Sequence, residues 1–442
     1  MKKFVIILPT VFLLYCIGAG WSLGQAPSPR SEPKYGADDL VKQGMDAYEK
    51  KEFARSAQLL QKAVAKGARE PGVLYDTACS LALAGEKEKA FQFLNKAIEA
   101  GWRQTGHMKN DGDLSSLRDD PRWAKAIAAS EGQQARFLKD HGDPEKARFI
   151  TADVARFWKA YDKAVAATPE ARAAIFQREY IAPGTIGLKD FGRSGRLDAR
   201  TLAKIVESHK SFYAAIRPLT VEIGRQRGET IGAFRKLKGL YPAAIFPDAY
   251  FVIGQMQSGG TASDNGLLMG AEMFTRAAGV PNGELNDWQK NAIMEQREIP
   301  LLVAHESIHF QQKYPIQTGL LCQCLKEGVA DFLGELVSGR LINRMMETHQ
   351  WANARERELW EEFQKDMDGG ATSRWLYGGS GKDGRPVDLG YWIGYKISEA
   401  RYKNAGDKKQ AVQEMLVVND CKGFLKASRY DEKFSGAAPV QK

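Results

Sequence analysis

Two histidines and a glutamate near residue 305 form the clearest chemical pattern in the sequence. His305 and His309 are four residues apart, so on a helix their imidazoles lie on one face and can bind one zinc ion together. Glu306 lies one step further round the helix, where its carboxylate can reach a metal-bound water rather than the metal. The pattern predicts zinc-assisted hydrolysis with Glu306 as the general base.

A third metal ligand is predicted at Glu327, with 17 residues between it and His309. That gap fits the end of one helix, a turn at Tyr314-Pro315 and the start of a second, antiparallel helix. Asp331 lies four residues after Glu327, on the same face, and is predicted to accept a hydrogen bond from the outer nitrogen of a ligand histidine. A buried helix with two hydrogen-bonded histidines is the alternative, and the following Glu-x-x-x-Asp argues against it.

This motif and its surroundings resemble a known group of proteins. His305-Glu306-x-x-His309 followed by Glu327-Gly-Val-Ala-Asp331 is similar to the gluzincin zinc metallopeptidases, whose third ligand is a glutamate. Segments 259–272 and 388–395 also resemble a set of bacterial predicted zinc-dependent proteases. The resemblance implies a zincin-like metallopeptidase domain that holds one zinc ion and hydrolyses a peptide or protein substrate.

The same resemblance implies two further parts of the site. Gluzincins bind extended substrate along an edge strand through main-chain hydrogen bonds. The corresponding candidates here are Gly266, Leu267, Leu268, Met269 and Gly270. Related enzymes also supply a tyrosine or histidine to the oxyanion, for which Tyr391 and Tyr395 are the candidates. A core hairpin and ordinary core tyrosines are the alternatives.

The N-terminus has the pattern of an export signal. Lys2-Lys3 precede a mostly apolar run over residues 4–17, and small residues near position 24 offer cleavage sites. We therefore predict a signal peptide over 1–26, a proline-rich linker over 27–36, and a secreted or periplasmic protein without a transmembrane segment after cleavage. An uncleaved anchor is the alternative. Tyr15 stands before Cys16 where lipoproteins need a small residue, which argues against lipid attachment.

Residues 37–100 contain an internal repeat with a period of 34 residues. Gly44, Phe53, Ser56, Leu60 and Ala63 recur as Ala78, Lys87, Ala90, Leu94 and Ala97. This period is typical of tetratricopeptide repeats. We predict a repeat domain over 37–130, a linker helix over 131–150 and the metal-binding domain over 151–442. The repeats would either bind a protein partner in a groove or pack on their neighbour.

The predicted fold class is mainly α, with a small sheet (α+β). A helical period dominates residues 151–240, whereas strand-forming residues over 243–256 and 267–274 predict a β-hairpin. Helices are predicted over 286–313, 319–338, 343–368 and 388–402. The hairpin therefore stands directly before the helix that carries the histidines.

Composition limits the possible partners and leaves the disulfides open. The 63 basic and 54 acidic residues give a mild net charge of +9, and no basic run with interleaved aromatic residues predicts nucleic-acid binding. Export permits disulfides among Cys79, Cys322, Cys324 and Cys421. Either Cys322 or Cys324 can pair with Cys421.

A second functional hypothesis belongs to another class. In this alternative the chain is an exported repeat scaffold that binds a partner, with a structural or inactive zinc domain. Glu306 favours the enzyme, because a purely structural site has no need of a general base. Zinc-dependent hydrolysis of a non-protein amide is a third alternative.

Overall fold

The computed structural model describes residues 36–315, 319–370, 372–377 and 384–435. The predicted signal peptide and all but the last residue of the predicted linker lie outside these ranges. Within them, no helix combines the length and the apolar character needed to cross a membrane.

Two helical hairpins begin the described chain. Corresponding helices start 34 residues apart, as the repeat predicts. Gly44 lies so close to Leu60 that a β-carbon there would come within 2.7 Å of the leucine side chain, which explains the small residue. A short helix, a 3-10 turn over Gly112–Leu117 and a long helix follow the hairpins. The helices are α1 (Ala37–Glu49), α2 (Phe53–Ala65), α3 (Pro71–Leu83), α4 (Lys87–Glu99), α5 (Thr105–Asn110) and α6 (Pro121–Asp140).

A layer of helices with an aromatic core connects the hairpins to the sheet. Tyr180 and Tyr213 are fully buried, and the Tyr180 hydroxyl donates to the carbonyl of Ile253 at 2.7 Å. This bond ties the layer to the chain just after a strand. The layer comprises α7 (Ala152–Val165), α8 (Pro169–Phe176), α9 (Ile186–Phe191), α10 (Ala199–Ser208), α11 (Lys210–Val221) and α12 (Arg227–Leu240).

The described strands form one sheet in the order β1-β2-β4-β3. They are β1 (Phe149–Ile150), β2 (Ala249–Val252), β3 (Gly260–Ser263) and β4 (Gly266–Gly270). Strand β2 runs parallel to β1 and β4, and β3 pairs antiparallel with β4. The strand predicted to continue to residue 274 ends earlier, because the chain turns into a 3-10 helix over Ala271–Phe274.

The strand predicted to bind substrate is not an edge strand, so that prediction is wrong. Each residue of β4 is buried, and its two sides are hydrogen-bonded to β2 and β3. A strand with both sides paired has no free main-chain groups for an added strand. The residues concerned are Gly266, Leu267, Leu268, Met269 and Gly270.

The last part of the described chain is helical. Two predicted long helices are each divided. The helix predicted over 286–313 is interrupted before Pro300, which lacks an N–H and therefore fits only the first turn of a helix; a 3-10 turn precedes it. The helix predicted over 343–368 breaks at Ala354 and Arg355. The helices are α13 (Asp287–Ala292), α14 (Ile299–Gln311), α15 (Leu320–Ser338), α16 (Asn343–Asn353), α17 (Glu356–Asp366), α18 (Leu389–Asn404), α19 (Lys408–Leu416) and α20 (Cys421–Ser428).

Helix α15 is held tightly between its neighbours. A β-carbon at Gly328 would come within 2.1 Å of the α18 backbone at Gly394, so both glycines are needed for this close approach. A disulfide between Cys322 and Cys421 joins α15 to α20. The predicted fold class, mainly helical with a small sheet, is confirmed.

Candidate metal site

Helix α14 presents both histidines on one face. Its apolar residues Ile299, Val303 and Ile308 are fully buried and fix the rotation of the helix in the core. The Nε2 atoms of His305 and His309 consequently lie 3.0 Å apart. The two rings point into the same space.

Helix α15 supplies the third group to that space. Glu327 Oε2 lies 3.1 Å from His309 Nε2 and 3.8 Å from His305 Nε2. Ligand atoms bound to one tetrahedral zinc at its usual distances lie roughly 3.3–3.6 Å apart. The three separations bracket that value, so the residues fit a zinc ion with adjustments of only a few tenths of an ångström.

Both rings are held from outside by hydrogen-bond acceptors. His305 Nδ1 lies 2.8 Å from Asp331 Oδ1, and His309 Nδ1 lies 2.8 Å from Gln312 Oε1. A ring that donates from Nδ1 keeps the lone pair of Nε2 free for a metal. Asp331 therefore lies where it was predicted. Gln312 was missed, although its position three residues after His309 was a usable signal.

The electrostatics of the cluster stabilise positive charge. Burial alone would lower the pKa of His305, but the hydrogen bond and charge of Asp331 raise it to about 9. Burial would raise the pKa of Glu327, yet the charge and hydrogen bond of His309 lower it to about 2. A divalent cation bound here would have to displace the proton of His305, and would then meet the same favourable field.

Glu306 lies next to His305 in the wall of a cavity. Its side chain packs against β3, where a β-carbon at Gly260 would come within 2.7 Å of Oε1. His305 and Glu306 both line a cavity of about 1120 Å³. Burial raises the pKa of Glu306, while the charges of His305 and His309 lower it, so the carboxylate is electrostatically coupled to both rings.

The two tyrosine candidates have different surroundings. The ring of Tyr391 stacks 6.4 Å from that of His305 and lines the large cavity. The Tyr395 hydroxyl donates instead to Glu335 Oε2 at 2.5 Å, so it is engaged by a residue outside the proposed ligand set. A tyrosine that the sequence did not indicate contacts a proposed ligand: the Tyr377 hydroxyl donates to Glu327 Oε1 at 3.1 Å.

A second cluster with metal-ligand side chains, here called the hairpin cluster, lies between α3 and the 3-10 turn that follows α5. Cys79, Asp111 and Asp113 offer ligand atoms within 4.8 Å of one another, as His305, His309 and Glu327 do. Tyr75 donates to Asp111 Oδ2 at 2.8 Å, and Tyr48 donates to Asp113 Oδ2. These carboxylates are therefore already satisfied within the hairpins.

Fold and site together define a mainly helical protein with a candidate metal centre. A family model described as Gliding motility protein GldB matches residues 143–432, about two thirds of the chain. The chain therefore belongs to the GldB family. No curated protein and no solved structure matches it.

This membership corrects the predicted identity. The assignment to the gluzincin metallopeptidases is wrong, and with it the predicted peptidase function and the protease and metalloprotease classification. The physical reason is that two histidines and a glutamate at these spacings specify a local ligand geometry. Such a geometry does not determine the family or the reaction.

Membership also bears on the predicted export. GldB is a lipoprotein family, which agrees with an exported chain. The chain is thus an exported protein. Cys16, which the sequence argument set aside as a lipid-attachment site, lies outside the described residues.

Proposed function

We propose that this chain is an exported scaffold protein that binds one zinc ion at His305, His309 and Glu327. The main support is that three ligand atoms lie within 4.8 Å of one another, while hydrogen-bond acceptors at Nδ1 orient both histidine rings. We further propose that the helical hairpins α1–α4 bind a protein partner. Family membership supports a scaffold more than an enzyme of the predicted class.

In this proposal the zinc ion stabilises the fold of the core. The histidines belong to α14 and the glutamate to α15, so one ion cross-links two helices of the core. Gly334 of α15 lies against the backbone of His305, where a β-carbon would be 3.5 Å from Cα. The binding free energy of the ion thereby adds to the stability of the folded domain.

We place the scaffold on the periplasmic side of the cell envelope, on the strength of the predicted signal peptide. The family description refers to gliding motility, and a surface assembly of that kind would suit an exported scaffold. Cell fractionation tests the location: the protein should remain with the envelope or periplasm, and recovery in the cytoplasm or the culture medium would contradict this placement.

A second candidate function is hydrolysis at the same metal ion. It is favoured by the position of Glu306, which lies in the large cavity and is coupled to both histidines. Zinc supplies polarisation of a bound substrate and acidification of water, and a carboxylate at this place can accept a proton. The peptide bond is not carried forward as substrate, because the family assignment behind it is wrong.

The zinc proposal is tested by metal analysis and thermal unfolding of the purified protein. Wild type should contain about one zinc per chain and lose thermal stability when a chelator removes it. His305→Ala should lack zinc, whereas His107→Ala, a change of the same kind on α5, should retain it. Equal zinc content in both variants would contradict the proposal.

Two further arms address the partner and the second candidate. A photo-cross-linking residue at Arg55 or Gln58, both exposed on α2, should form an adduct with an envelope protein in cells. Absence of an adduct at both positions would contradict partner binding by this face. For hydrolysis, Glu306→Gln should keep the zinc and lose any turnover that wild type shows; equal turnover in both would exclude Glu306 as the base.

A further inference from the structure

The carboxylate of Glu327 is held by different partners at its two oxygens. Oε2 faces the Nε2 atoms of the histidines, at 3.1 Å from His309. Oε1 accepts a hydrogen bond from the Tyr377 hydroxyl at 3.1 Å. We infer that Tyr377 is a positioning residue that makes Glu327 a one-oxygen ligand. This inference rests on the zinc site proposed above.

The backbone around Tyr377 is arranged to place its hydroxyl. Tyr377 has a φ of 55°, in the left-handed region that residues other than glycine rarely adopt. Its N–H donates to Asp388 Oδ1 at 2.9 Å, and Asp388 Oδ2 lies 3.3 Å from Arg344 Nη1. The contacts of this carboxylate therefore hold a strained residue in place.

Packing does not explain this position. Tyr377 is 64% exposed, which makes it the most exposed of the large hydrophobic residues in the described chain. Little apolar surface is gained by keeping its ring there. The contact that distinguishes it is the hydroxyl bond to Glu327, which points to a role for the oxygen rather than the ring.

Tyr377 lies between two cavities that reach the proposed ligands. It lines the cavity of about 1120 Å³ that contains His305 and Glu306, and a second one of about 580 Å³ that contains His309 and Glu327. Its ring thus stands at the boundary of both spaces. With Oε1 engaged by Tyr377, three protein atoms would hold the ion, and a fourth position would be left for a group from the cavity that Glu306 lines.

The test compares Tyr377→Phe with Tyr395→Phe, which removes a hydroxyl that is bonded to Glu335 and not to a proposed ligand. Loss of an outer partner usually weakens metal binding 10- to 100-fold. Tyr377→Phe should therefore raise the zinc Kd about tenfold in competition with a chelator, and Tyr395→Phe should not. Unfolding temperatures of the metal-free forms check that both variants fold.

The cobalt(II)-substituted proteins give a readout that a general loss of stability would not produce. In Tyr377→Phe both oxygens of Glu327 can reach the metal, so the coordination number should rise and the visible absorption of cobalt should weaken. If wild type binds zinc but Tyr377→Phe has the same Kd and spectrum, the inference is wrong. If wild type binds no zinc, the proposed site itself fails, so the two failures are distinguishable.

Discussion

Two clusters in this molecule carry the side chains that metals prefer, yet they are built in opposite ways. In the core cluster of His305, His309 and Glu327, hydrogen-bond acceptors hold the Nδ1 atoms of the two histidine rings and leave the Nε2 atoms free for a metal. In the hairpin cluster of Cys79, Asp111 and Asp113, donors occupy the atoms that would bind a metal.

The protonation state of the Cys79 thiol also argues against metal binding in the hairpin cluster. Burial and the neighbouring aspartates raise the pKa of the Cys79 thiol well above its usual range. A thiol must lose its proton to bind zinc, so this shift opposes binding. The Cys79 Sγ instead lies 3.6 Å from Asp111 Oδ2, in a position to donate to it. Proximity of ligand types is therefore insufficient, and the surrounding hydrogen bonds decide.

The largest expected contrast comes from removing one carboxylate from each cluster. Glu327→Ala should lower zinc affinity at least about 100-fold, because it removes one of the three proposed ligands. Asp113→Ala should leave the affinity unchanged. Isothermal titration of the metal-free proteins with zinc measures both. A similar loss in the two variants would mean that the clusters do not differ in the way described.

The next contrast concerns the outer partners. Asp331→Ala should weaken zinc binding 10- to 100-fold, because the His305 ring loses its orienting acceptor. Asp331→Asn should recover part of the loss, since an amide oxygen can still accept from Nδ1. The matched change Asp111→Asn should have no effect on zinc. Unchanged affinity in Asp331→Ala would remove the argument from outer hydrogen bonds.

A smaller effect is expected on folding alone. Tyr75→Phe leaves Asp111 without its hydroxyl donor inside the hairpins and should lower the free energy of unfolding by about 1–3 kcal/mol. The zinc content should stay at the wild-type level. Urea unfolding and metal analysis of the same sample check both statements; loss of zinc in this variant would show that the hairpin cluster holds the ion.

The smallest effect is a pH dependence in the hairpins. Burial raises the pKa of Asp76 to about 6, the charge of Arg193 opposes this, and Asp111 adds to it. Because the folded pKa is raised, the stabilising contribution is present below about pH 4 and is lost as pH rises through 6. Asp76→Asn should therefore be more stable than wild type at pH 7, with a smaller difference at pH 5. A difference that does not change with pH would contradict this.

The residues that the sequence predicted well are those fixed by helix geometry. His305 and His309 share a face because four residues make about one turn, and Glu327 needed only an antiparallel second helix. Asp331 followed from the same spacing. Gln312 is the first residue past the end of α14 and lies only three residues after His309, which was a local signal.

The residues that the sequence could not predict depend on long-range arrangement. Tyr377 reaches Glu327, 50 residues away, through a left-handed backbone that no local pattern specifies. The order of strands likewise depends on the whole sheet, which is why the segment Gly266–Gly270 was misplaced at an edge. Its continuous run without polar residues was a signal for a strand buried on both faces.

The family of the chain could not be predicted from the residues of the site. The motif around His305 correctly predicted which side chains meet, but it did not predict that residues 143–432 belong to the GldB family. Local ligand spacing recurs on unrelated proteins, whereas family membership is a property of the whole segment. The peptidase function was inferred from the ligand spacing and is overturned by the family membership.

X-ray absorption at the zinc edge of the purified, zinc-loaded protein tests the central claim most directly. We expect scattering from two imidazole nitrogens and oxygen at about 2.0–2.1 Å, with no sulfur at about 2.3 Å. That spectrum would place the ion between α14 and α15. A sulfur shell, or a spectrum without imidazole scattering, would place the ion elsewhere and contradict the assignment of His305, His309 and Glu327.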